Sequence, residues 1–381
     1  MTNITYVYSG KRKNRYYQKK YEAREFFYGL NLFDNENINL EIIEPISSNF
    51  PPKIIFKYLD KIFQKIFNLP VYMNVFISIQ NIKILLKTDK LILVNETTYC
   101  SLAPLLLIIK LFKRIDVYVF VMGLYSKKLR FPVLKKIHFL LIKLFNTSVK
   151  KLMFLGEGEL KKAIKIHKSN KNKFLLFPFS IDTEFWNDLQ HDKKDDEIQS
   201  RDTILFVGND GNRDADLFLK IVENLKDLNF TAITNIDNLL NSKLPNLSVI
   251  KGSYGSSNLS DTELKQYYLN SKLVILPLKE SSQPSGQSVT LQALSCGRQV
   301  MISDTEGFWD RSSFKNNINI YFVKENNYKS WSKKIIQVLS DEKSLKTTQK
   351  LGQELVFNLY TLENFKIRLF EIIELDKNII K

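Results

Sequence analysis

The residues from Leu273 to Asp304 combine types that are suited to binding phosphate. An apolar run ends at Leu276, a loop rich in Pro, Ser and Gly follows, and Ser285-Gly286-Gln287-Ser288 leads into a second apolar segment that stops near Gly297. This order predicts a strand, a loop and a helix. The first N–H groups of a helix are unpaired and lie at its positive end, and glycine lets a ligand approach the backbone. The stretch therefore predicts a diphosphate site, with an ordinary strand-to-helix turn capped by serine as the alternative.

Two series of strand-like runs alternate with helical stretches, as parallel doubly wound sheets require. The first series comprises Ile4–Tyr8, Leu40–Ile43, Leu91–Val94, Val117–Val121, Leu152–Leu155 and Phe174–Phe177. The second comprises Ile204–Val207, Phe230–Thr234, Leu247–Ile250, Leu273–Leu276, Val300–Ser303 and Ile320–Val323. A chain of 381 residues with 44% apolar content can bury two cores. We expect an N-terminal Rossmann-like domain over 1–186, a polar linker over 187–202, a second Rossmann-like domain over 203–360 and a closing helix within 361–381.

The segment Gln292-Ala293-Leu294-Ser295-Cys296-Gly297-Arg298-Gln299-Val300 resembles the donor site of the group 1 glycosyltransferases, glycosyltransferase family 4. That family has two glutamates eight positions apart, the second of which opens E-A-M-x-x-G-x-P and holds the donor ribose. The second glutamate falls on Gln292, whose amide oxygen can still accept hydrogen bonds from ribose hydroxyls. The first falls on Pro284, which leaves Glu280 as the substitute. The resemblance implies the α/β GT-B fold, in which two Rossmann-like domains face a central cleft and the second binds a nucleotide-diphosphate sugar.

Three further segments resemble the same family in the same order along the chain. Thr203 to Gly208 looks like the opening strand of its nucleotide-binding domain. Phe177 to Trp186 is similar to P-N-G-V-D-x-x-x-F at the end of its N-terminal domain, and Leu155 to Leu160 lies where the family has a serine-glutamate turn. The resemblance covers most of residues 150 to 375 by its motifs and the first 150 residues by architecture.

The family's basic pair near the pyrophosphate falls on Asn209 and Arg213, so that only Arg213 keeps the charge. A guanidinium group binds phosphate oxygens in a fork, which makes Arg213 the main candidate for a diphosphate ligand. The alternative is a solvated residue at a helix start that pairs with Asp214 or Asp216.

On the acceptor side the resemblance points to two glycine-containing loops. Family members often place a His or Asp before a glycine that faces the donor sugar, and that place is Met122-Gly123 here. The loop after the first strand borders the acceptor cleft in such enzymes, which indicates that Gly10, Lys11 and Arg12 meet a phosphorylated or lipid-linked acceptor. No histidine is assigned a catalytic role, because His138, His167 and His191 lie in basic or linker contexts typical of packing and surface residues.

The net positive charge is confined to the first half of the chain. Residues 1–186 contain 31 Lys and Arg against 14 Asp and Glu, whereas residues 187–381 contain 25 against 26. The segment FPVLKKIHFLLIKLFN places Leu134, Ile137, Leu141 and Leu144 at helical spacing, interrupted by Lys135, Lys136 and Lys143. This pattern predicts an interfacial helix on an anionic membrane, and a core helix whose lysines reach solvent is the alternative. Basic and aromatic residues also interleave over 10–21, but without a nucleic-acid-binding signature, so nucleic acid is not the expected partner.

Several other classes of site are not indicated. Only Cys100 and Cys296 occur, without paired spacing, which argues against disulfides and cysteine-based metal sites. We expect no metal and no cofactor beyond the nucleotide sugar as co-substrate. The uncharged interval Ile66 to Ile82 is broken by polar residues and is shorter than the roughly 20 apolar residues of a spanning helix. Because the first residues enter a strand directly, we expect no signal peptide and a cytoplasmic protein on the inner face of the cell membrane.

The expectation is a retaining glycosyltransferase that moves a sugar from a nucleotide-diphosphate sugar to a surface-polysaccharide or lipid-linked acceptor. Two alternatives remain open from the residues. One is a nucleotide-sugar 2-epimerase of the same architecture. The other is a non-catalytic GT-B-like protein that binds nucleotide or partner proteins, because Pro284, Gln292 and Met122 stand where the family has functional groups.

Overall fold

The chain forms two compact units in the computed structural model, which describes residues 1–33, 37–46, 52–127, 129, 131–187, 203–252 and 259–375. The first unit comprises Met1–Tyr21, Phe27–Phe177 and Lys366–Lys381. The second comprises Pro178–Phe365 and the short segment Glu22–Phe26, which comes from far away in the sequence. Of the expected linker, only residue 187 lies within the described residues.

The first unit is built on a six-stranded parallel sheet in the order β2-β1-β3-β4-β5-β6. Its strands are β1 Thr2–Val7, β2 Ile38–Ile43, β3 Lys90–Leu93, β4 Asp116–Val121, β5 Lys151–Phe154 and β6 Phe174–Leu176. Its helices are α1 Lys13–Tyr17, α2 Lys53–Lys65, α3 Met73–Phe76, α4 Ile79–Lys87, α5 Glu96–Ile109, α6 Pro132–Phe145 and α7 Glu157–Ile166. The central strands are apolar on both faces, because helices cover a doubly wound sheet on both sides.

The second unit repeats this architecture with the strand order β12-β11-β10-β7-β8-β9, again all parallel. Its strands are β7 Thr203–Val207, β8 Asn229–Thr234, β9 Leu247–Lys251, β10 Ser271–Leu276, β11 Gln299–Ser303 and β12 Tyr321–Val323. Its helices are α8 Thr183–Trp186, α9 Ala215–Asn224, α10 Asp237–Leu240, α11 Asp261–Leu269, α12 Gln287–Ser295, α13 Tyr328–Ser340 and α14 Glu342–Leu359. A final helix, α15 Leu362–Ile372, begins in the second unit and ends in the first.

The predicted fold class is confirmed strand by strand. Each of the twelve strand-like runs forms a strand whose ends lie within two residues of the prediction. The first strand of each unit, β1 and β7, has parallel neighbours on both sides in its sheet. Loops that follow neighbouring parallel strands meet at one edge of the sheet, where doubly wound folds bind ligands.

Candidate functional site

A cavity of about 380 Å³ lies at the carboxyl ends of β7, β8 and β9 in the second unit. Five residues predicted for the donor site line it, namely Gly208, Asn209, Arg213, Ser288 and Gln292. Its wall also contains Phe26, which is contributed by the segment Glu22–Phe26. The cavity is therefore the place where the second unit gathers the predicted residues.

Gly208 and Arg213 fit against each other directly after β7. Gly208 has a φ of +145°, and a Cβ built on it would lie 2.2 Å from Nε of Arg213. Nε donates to the carbonyl oxygen of Val207 at 3.0 Å, and Nη1 donates to Oδ2 of Asp210 at 2.8 Å. Nη2 has no partner among the described residues. Glycine is thus required at position 208 for the guanidinium group to occupy the cavity wall.

The alternative prediction for Arg213, a solvated side chain paired with Asp214 or Asp216, is wrong. The residue is 4% exposed, and its ion pair is with Asp210. Asp214 instead caps α9 by accepting from the backbone N–H of Leu217 at 3.1 Å. Burial lowers the pKa of Arg213, and the charge of Asp210 opposes that effect. A buried cation with one free amino group is well placed to bind an anion in the cavity.

Asn209 stands at the other position of the basic pair. Its side-chain amide forms hydrogen bonds with residues at the ends of the neighbouring strands. Nδ2 donates to the carbonyl oxygen of Gly252 at 2.9 Å. Oδ1 accepts from the hydroxyl of Thr234 at 3.2 Å and from the backbone N–H of Asn235. Asn209 therefore fixes the loop after β7 against the ends of β8 and β9, and it shapes the cavity wall without a charge.

The predicted phosphate-binding turn forms the start of α12. Gly286 is the N-cap residue with a φ of +81°, and a Cβ there would lie 3.2 Å from Cδ1 of Ile302. The hydroxyl of Ser285 accepts from Nδ2 of Asn212 at 2.7 Å. Ser288 lies on the cavity, whereas Ser285, Gly286 and Gln287 are buried behind it. The first turn of the helix thus reaches the cavity mainly through Ser288.

Gln292 is tied to a buried carboxyl group that the sequence analysis did not single out. Its Oε1 accepts from the hydroxyl of Tyr268 at 3.1 Å, and its Nε2 donates to Oε1 of Glu25 at 2.8 Å. Nε1 of Trp186 donates to the same Glu25 oxygen at 2.9 Å. Burial raises the pKa of Glu25 to about 7, although the hydrogen bonds from Gln292 and Trp186 act in the opposite direction. A glutamate at position 292 would therefore place two carboxyl groups in contact.

The segment Glu22–Phe26 is held in the second unit by further polar contacts. Oε2 of Glu22 accepts from the backbone N–H of Thr262, at the start of α11, at 2.7 Å. The guanidinium group of Arg24 binds both carboxylate oxygens of Asp182, at 2.5 and 2.7 Å. These contacts fix Phe26 in the cavity wall and Glu25 beneath Gln292.

Glu280, the substitute for the missing first glutamate, lies apart from this cavity. Its side chain is exposed, and its Oε1 accepts from the backbone N–H of Glu306 at 2.8 Å. It does not line the cavity in the described part of the chain. Nothing in these contacts gives Glu280 a role toward a ligand held there, and its assignment stays a prediction.

In the first unit, two carboxyl groups gather beside Gly123 at the carboxyl edge of the sheet. Gly123 follows β4 with a φ of +155°, Glu96 follows β3, and Glu159 follows β5. Oε1 of Glu159 accepts from the backbone N–H of Tyr125 at 2.7 Å. Burial, and then the charge of Glu96, raise the pKa of Glu159 to about 8. Burial also raises the pKa of Glu96, while the nearby Lys127 lowers it. This cluster could have been predicted, because Glu96, Gly123 and Glu159 each follow one of three neighbouring parallel strands. The loops after such strands meet at one edge of the sheet.

The second predicted acceptor loop, Gly10 to Arg12, follows β1. Gly10 and Lys11 have φ values of +140° and +62°, and no atom lies within 4 Å of a Cβ built on Gly10. The backbone N–H of Arg12 donates to Oε1 of Glu44 at 2.5 Å, and its Nη1 donates to the carbonyl oxygen of Gly10 at 2.9 Å. The loop therefore has an ordered turn with an exposed lysine at its tip.

The predicted interfacial helix is α6, and its lysines Lys135, Lys136 and Lys143 are exposed. The exposed apolar side chains differ in part from the predicted set. Val133, Leu140 and Leu144 are 67%, 65% and 50% exposed, whereas Leu134, Ile137 and Leu141 are half-buried. The opposite side packs into the core through His138, Ile142 and Phe145.

A second amphipathic helix, α2, lies next to α6 and was missed in the sequence. Nδ1 of His138 on α6 donates to the carbonyl oxygen of Phe67 at 2.5 Å, just beyond the end of α2. The exposed side of α2 carries Ile54, Ile55 and Tyr58, at 71%, 62% and 70% exposure. Its exposed lysines are Lys57, Lys61 and Lys65. We call the exposed sides of α2 and α6 together the basic apolar surface.

The described residues also bear on the presence of membrane-spanning helices, metal sites, disulfides and catalytic histidines. None of the described helices is long and apolar enough to cross a membrane. Nor do the described ranges contain a group of three His, Cys, Asp or Glu side chains arranged to hold a metal ion. Both cysteines are buried and unpaired with each other. His167, like His138, is a buried packing residue, and His191 lies outside the described residues.

The part of the chain that forms this cavity matches a known protein family. Residues 189–354 match the family described as "Glycosyl transferases group 1". This segment is similar to the domain that defines the family. The match contains all the predicted donor-site residues and every cavity-lining residue except Phe26. The sequence resembles no curated protein closely enough to identify a relative.

Solved structures resemble the whole chain in fold. HepE from Anabaena, in complex with UDP and glucose, has a TM-score of 0.67 and 9% sequence identity, over 98% of this chain and 100% of that one. Sucrose-phosphate synthase from Thermosynechococcus elongatus has a TM-score of 0.66 and 11% identity, over 98% of both chains. A glycosyltransferase from Rickettsia africae has a TM-score of 0.61 and 14% identity, over 100% of this chain and 99% of that one. The chain thus has the GT-B fold, as the sequence predicted.

Proposed function

We propose that the protein is a retaining glycosyltransferase that binds a nucleotide-diphosphate sugar in the cavity of the second unit. The observation that carries the proposal is the conjunction of Arg213, Gly208 and the start of α12 at that cavity. UDP is the first nucleotide to test, because the similar structure of HepE contains UDP and glucose. A volume of about 380 Å³ lies within the range of small-molecule sites.

The cavity provides groups for both ends of such a donor. In this proposal Nη2 of Arg213 and the first turn of α12 at Ser288 bind the diphosphate, close to the positive end of the helix. Oε1 of Gln292 retains one lone pair beyond its bond to Tyr268 and accepts a ribose hydroxyl. The same cationic groups stabilise the charge that develops on the leaving diphosphate, so that transfer proceeds without a metal ion. Unchanged turnover after chelation by EDTA is the expected result.

The first unit supplies the acceptor side in this proposal. Gly10 to Arg12 and Gly123 lie in loops after β1 and β4, and Glu96, Glu159 and Lys127 add titratable groups beside Gly123. The acceptor is a saccharide or a lipid-linked saccharide of surface-polysaccharide synthesis. Its presence at a membrane accounts for the basic apolar surface, which faces solvent in the described first unit.

Attachment of this surface to the inner face of an anionic membrane follows from its chemistry. Exposed Ile and Leu side chains insert between headgroups, while the flanking lysines contribute about 1 kcal/mol each near anionic lipid. Lys150 also lies in the basic first half of the chain, but it is not expected to contribute to membrane attachment. Its ammonium group is already paired with Asp116 at 2.9 Å and with Glu374 at 2.7 Å. The protein would therefore be a peripheral membrane enzyme.

Turnover separates the proposed function from its alternatives. Purified protein is incubated with UDP-, GDP- and ADP-sugars, with and without a lipid-linked saccharide extract, and the products are separated chromatographically. Acceptor-dependent release of a nucleoside diphosphate, with retention of the anomeric configuration by NMR, is expected. Release of an epimerised nucleotide sugar without acceptor would identify a 2-epimerase, and binding without any turnover would identify a non-catalytic protein.

Membrane attachment has its own test, sedimentation with vesicles of phosphatidylglycerol and phosphatidylcholine. Replacing Lys57, Lys136 and Lys143 by Gln is expected to reduce sedimentation, most strongly at low salt. The matched control replaces three exposed lysines of the second unit, Lys220, Lys226 and Lys333. Equal sedimentation of the two triple variants would contradict a role for the basic apolar surface.

A further inference from the structure

A second cavity, of about 580 Å³, lies in the first unit between α4 and one face of β1 and β2. The parallel register places Asn3 beside Asn39 and Thr5 beside Glu41, and all four side chains line the cavity. Alternate residues of a strand point to opposite faces, so this face of the two strands is polar. Doubly wound sheets normally bury apolar side chains on both faces. The departure gives the cavity a hydrogen-bonding floor.

Three lysines surround this floor, Lys13 from α1 and Lys83 and Lys87 from α4. None of their ammonium groups makes a hydrogen bond or an ion pair with a described residue. Lys83 and Lys87 are also one turn apart on α4, an arrangement of like charges that costs a helix about 0.2 to 0.5 kcal/mol. The acidic residue of the described lining is Glu41. The excess of unpaired positive charge indicates an anionic ligand.

The floor is ordered and keeps an acceptor for hydroxyl groups. The hydroxyls of Thr5 and Thr88 are 2.7 Å apart, and Thr88 donates to the carbonyl oxygen of Ile84 at 2.9 Å, so Thr5 is the donor between them. Nδ2 of Asn39 donates to Oδ1 of Asn3 at 3.0 Å. The Thr5 hydroxyl is buried, so Oδ1 of the exposed Asn39 is the acceptor that this pair of strands offers to ligand hydroxyls. Ile79 and Ile84 add an apolar wall against which the C–H face of a sugar ring packs.

We propose that this cavity binds an anionic carbohydrate, a sugar that carries a phosphate or a carboxylate group. The lysines bind the oxyanion, and the floor of β1 and β2 binds the hydroxyls. The site lies on the faces of the strands and in the first unit, so it is separate from the donor cavity. The anion follows from the lysines alone, whereas the choice of a carbohydrate rests in part on the proposed function. The ligand is either a free sugar phosphate or a segment of an acidic polysaccharide.

Calorimetric titration of the full chain distinguishes these sources. The probes are glucose 6-phosphate, a hyaluronan hexasaccharide that carries glucuronate carboxylates, inorganic phosphate, and neutral maltohexaose. Glucose 6-phosphate or the hexasaccharide is expected to bind more tightly than inorganic phosphate, and maltohexaose is expected not to bind. Tighter binding of the hexasaccharide identifies a polysaccharide, and tighter binding of glucose 6-phosphate identifies a free sugar phosphate.

Two double variants then locate the site. Lys83→Gln with Lys87→Gln is expected to weaken binding about tenfold or more, as loss of hydrogen bonds to a charged group does. The control, Lys165→Gln with Lys168→Gln, removes the same charge from exposed positions elsewhere on the first unit. Equal affinities of the two variants, or no binding of either anionic sugar to the unsubstituted protein, would overturn the proposal. A parallel titration with UDP tests the donor cavity. Failure of the proposed donor site can therefore be distinguished from failure of the anionic carbohydrate site.

Discussion

The buried carboxyl group of Glu25 makes the stability of the second unit depend on pH. Its pKa rises from an ordinary value of 4.5 to about 7 in the folded protein, chiefly through burial and to a lesser degree through the charge of Asp261. Between these values the unfolded chain has released its proton and the folded chain has not, so raising the pH favours unfolding. At about 1.36 kcal/mol for each pKa unit, the cost reaches about 3 kcal/mol above pH 7.

Replacing Glu25 by Gln removes this ionisation while keeping an acceptor oxygen for Gln292 and Trp186. The variant is expected to become increasingly more stable than the unsubstituted protein from pH 5 to pH 7, with a difference of up to about 3 kcal/mol that stays level above pH 7. Urea unfolding followed by tryptophan fluorescence measures this difference in the second unit, because Trp186, Trp309 and Trp331 all lie there.

The control for this measurement is Glu223→Gln, which neutralises an exposed carboxylate on α9 of the same unit. Its effect on the free energy of unfolding is expected to be small and nearly constant over the pH range, as for most surface substitutions. A constant difference for Glu25→Gln as well, or a less stable Glu25→Gln variant at pH 8, would refute the reasoning from burial.

Two further predictions concern the donor cavity. Gly208→Ala places a Cβ against Nε of Arg213 and is expected to weaken UDP binding about tenfold or more by calorimetry, whereas Gly211→Ala, whose Cβ meets nothing within 4 Å, leaves it unchanged. Equal affinities would remove Arg213 from the site. Gln292→Glu sets a second carboxyl group against Glu25 and is expected to lower the urea midpoint at pH 8, with Glu25→Gln restoring it in the double variant. A double variant no more stable than Gln292→Glu alone would contradict the contact.

The strands and α6 could be predicted because their signals are local. A buried parallel strand is a short apolar run, and β4, DVYVFV, shows it within six residues. α6 begins with a proline and keeps helical spacing throughout. α2 has an equally local pattern in KIIFKYLDKIFQK, whose apolar residues recur at helical spacing between lysines.

The connections of the site could not be predicted, because they join residues that are distant in sequence. Glu25 and Gln292 are 267 positions apart, and nothing around either residue indicates the other. The family pattern indicated that Gln292 stands in place of a glutamate. Only the structure supplies a physical reason, a buried carboxyl group that already occupies the neighbouring space. The pairing of Arg213 with Asp210 could have been predicted from the sequence, since the two residues are three positions apart. Asp214 and Asp216 are also close to Arg213 in sequence, however, and were predicted as its partners instead.

The central claim is that the second unit binds a nucleoside diphosphate between Arg213 and the start of α12. Calorimetric titration of the purified protein with UDP, GDP, ADP and UMP tests it most directly. We predict micromolar binding of one diphosphate, much tighter than binding of the monophosphate with the same base. Absence of binding by all the diphosphates, or equal binding of UDP and UMP where UDP binds, would contradict the assignment of a pyrophosphate site.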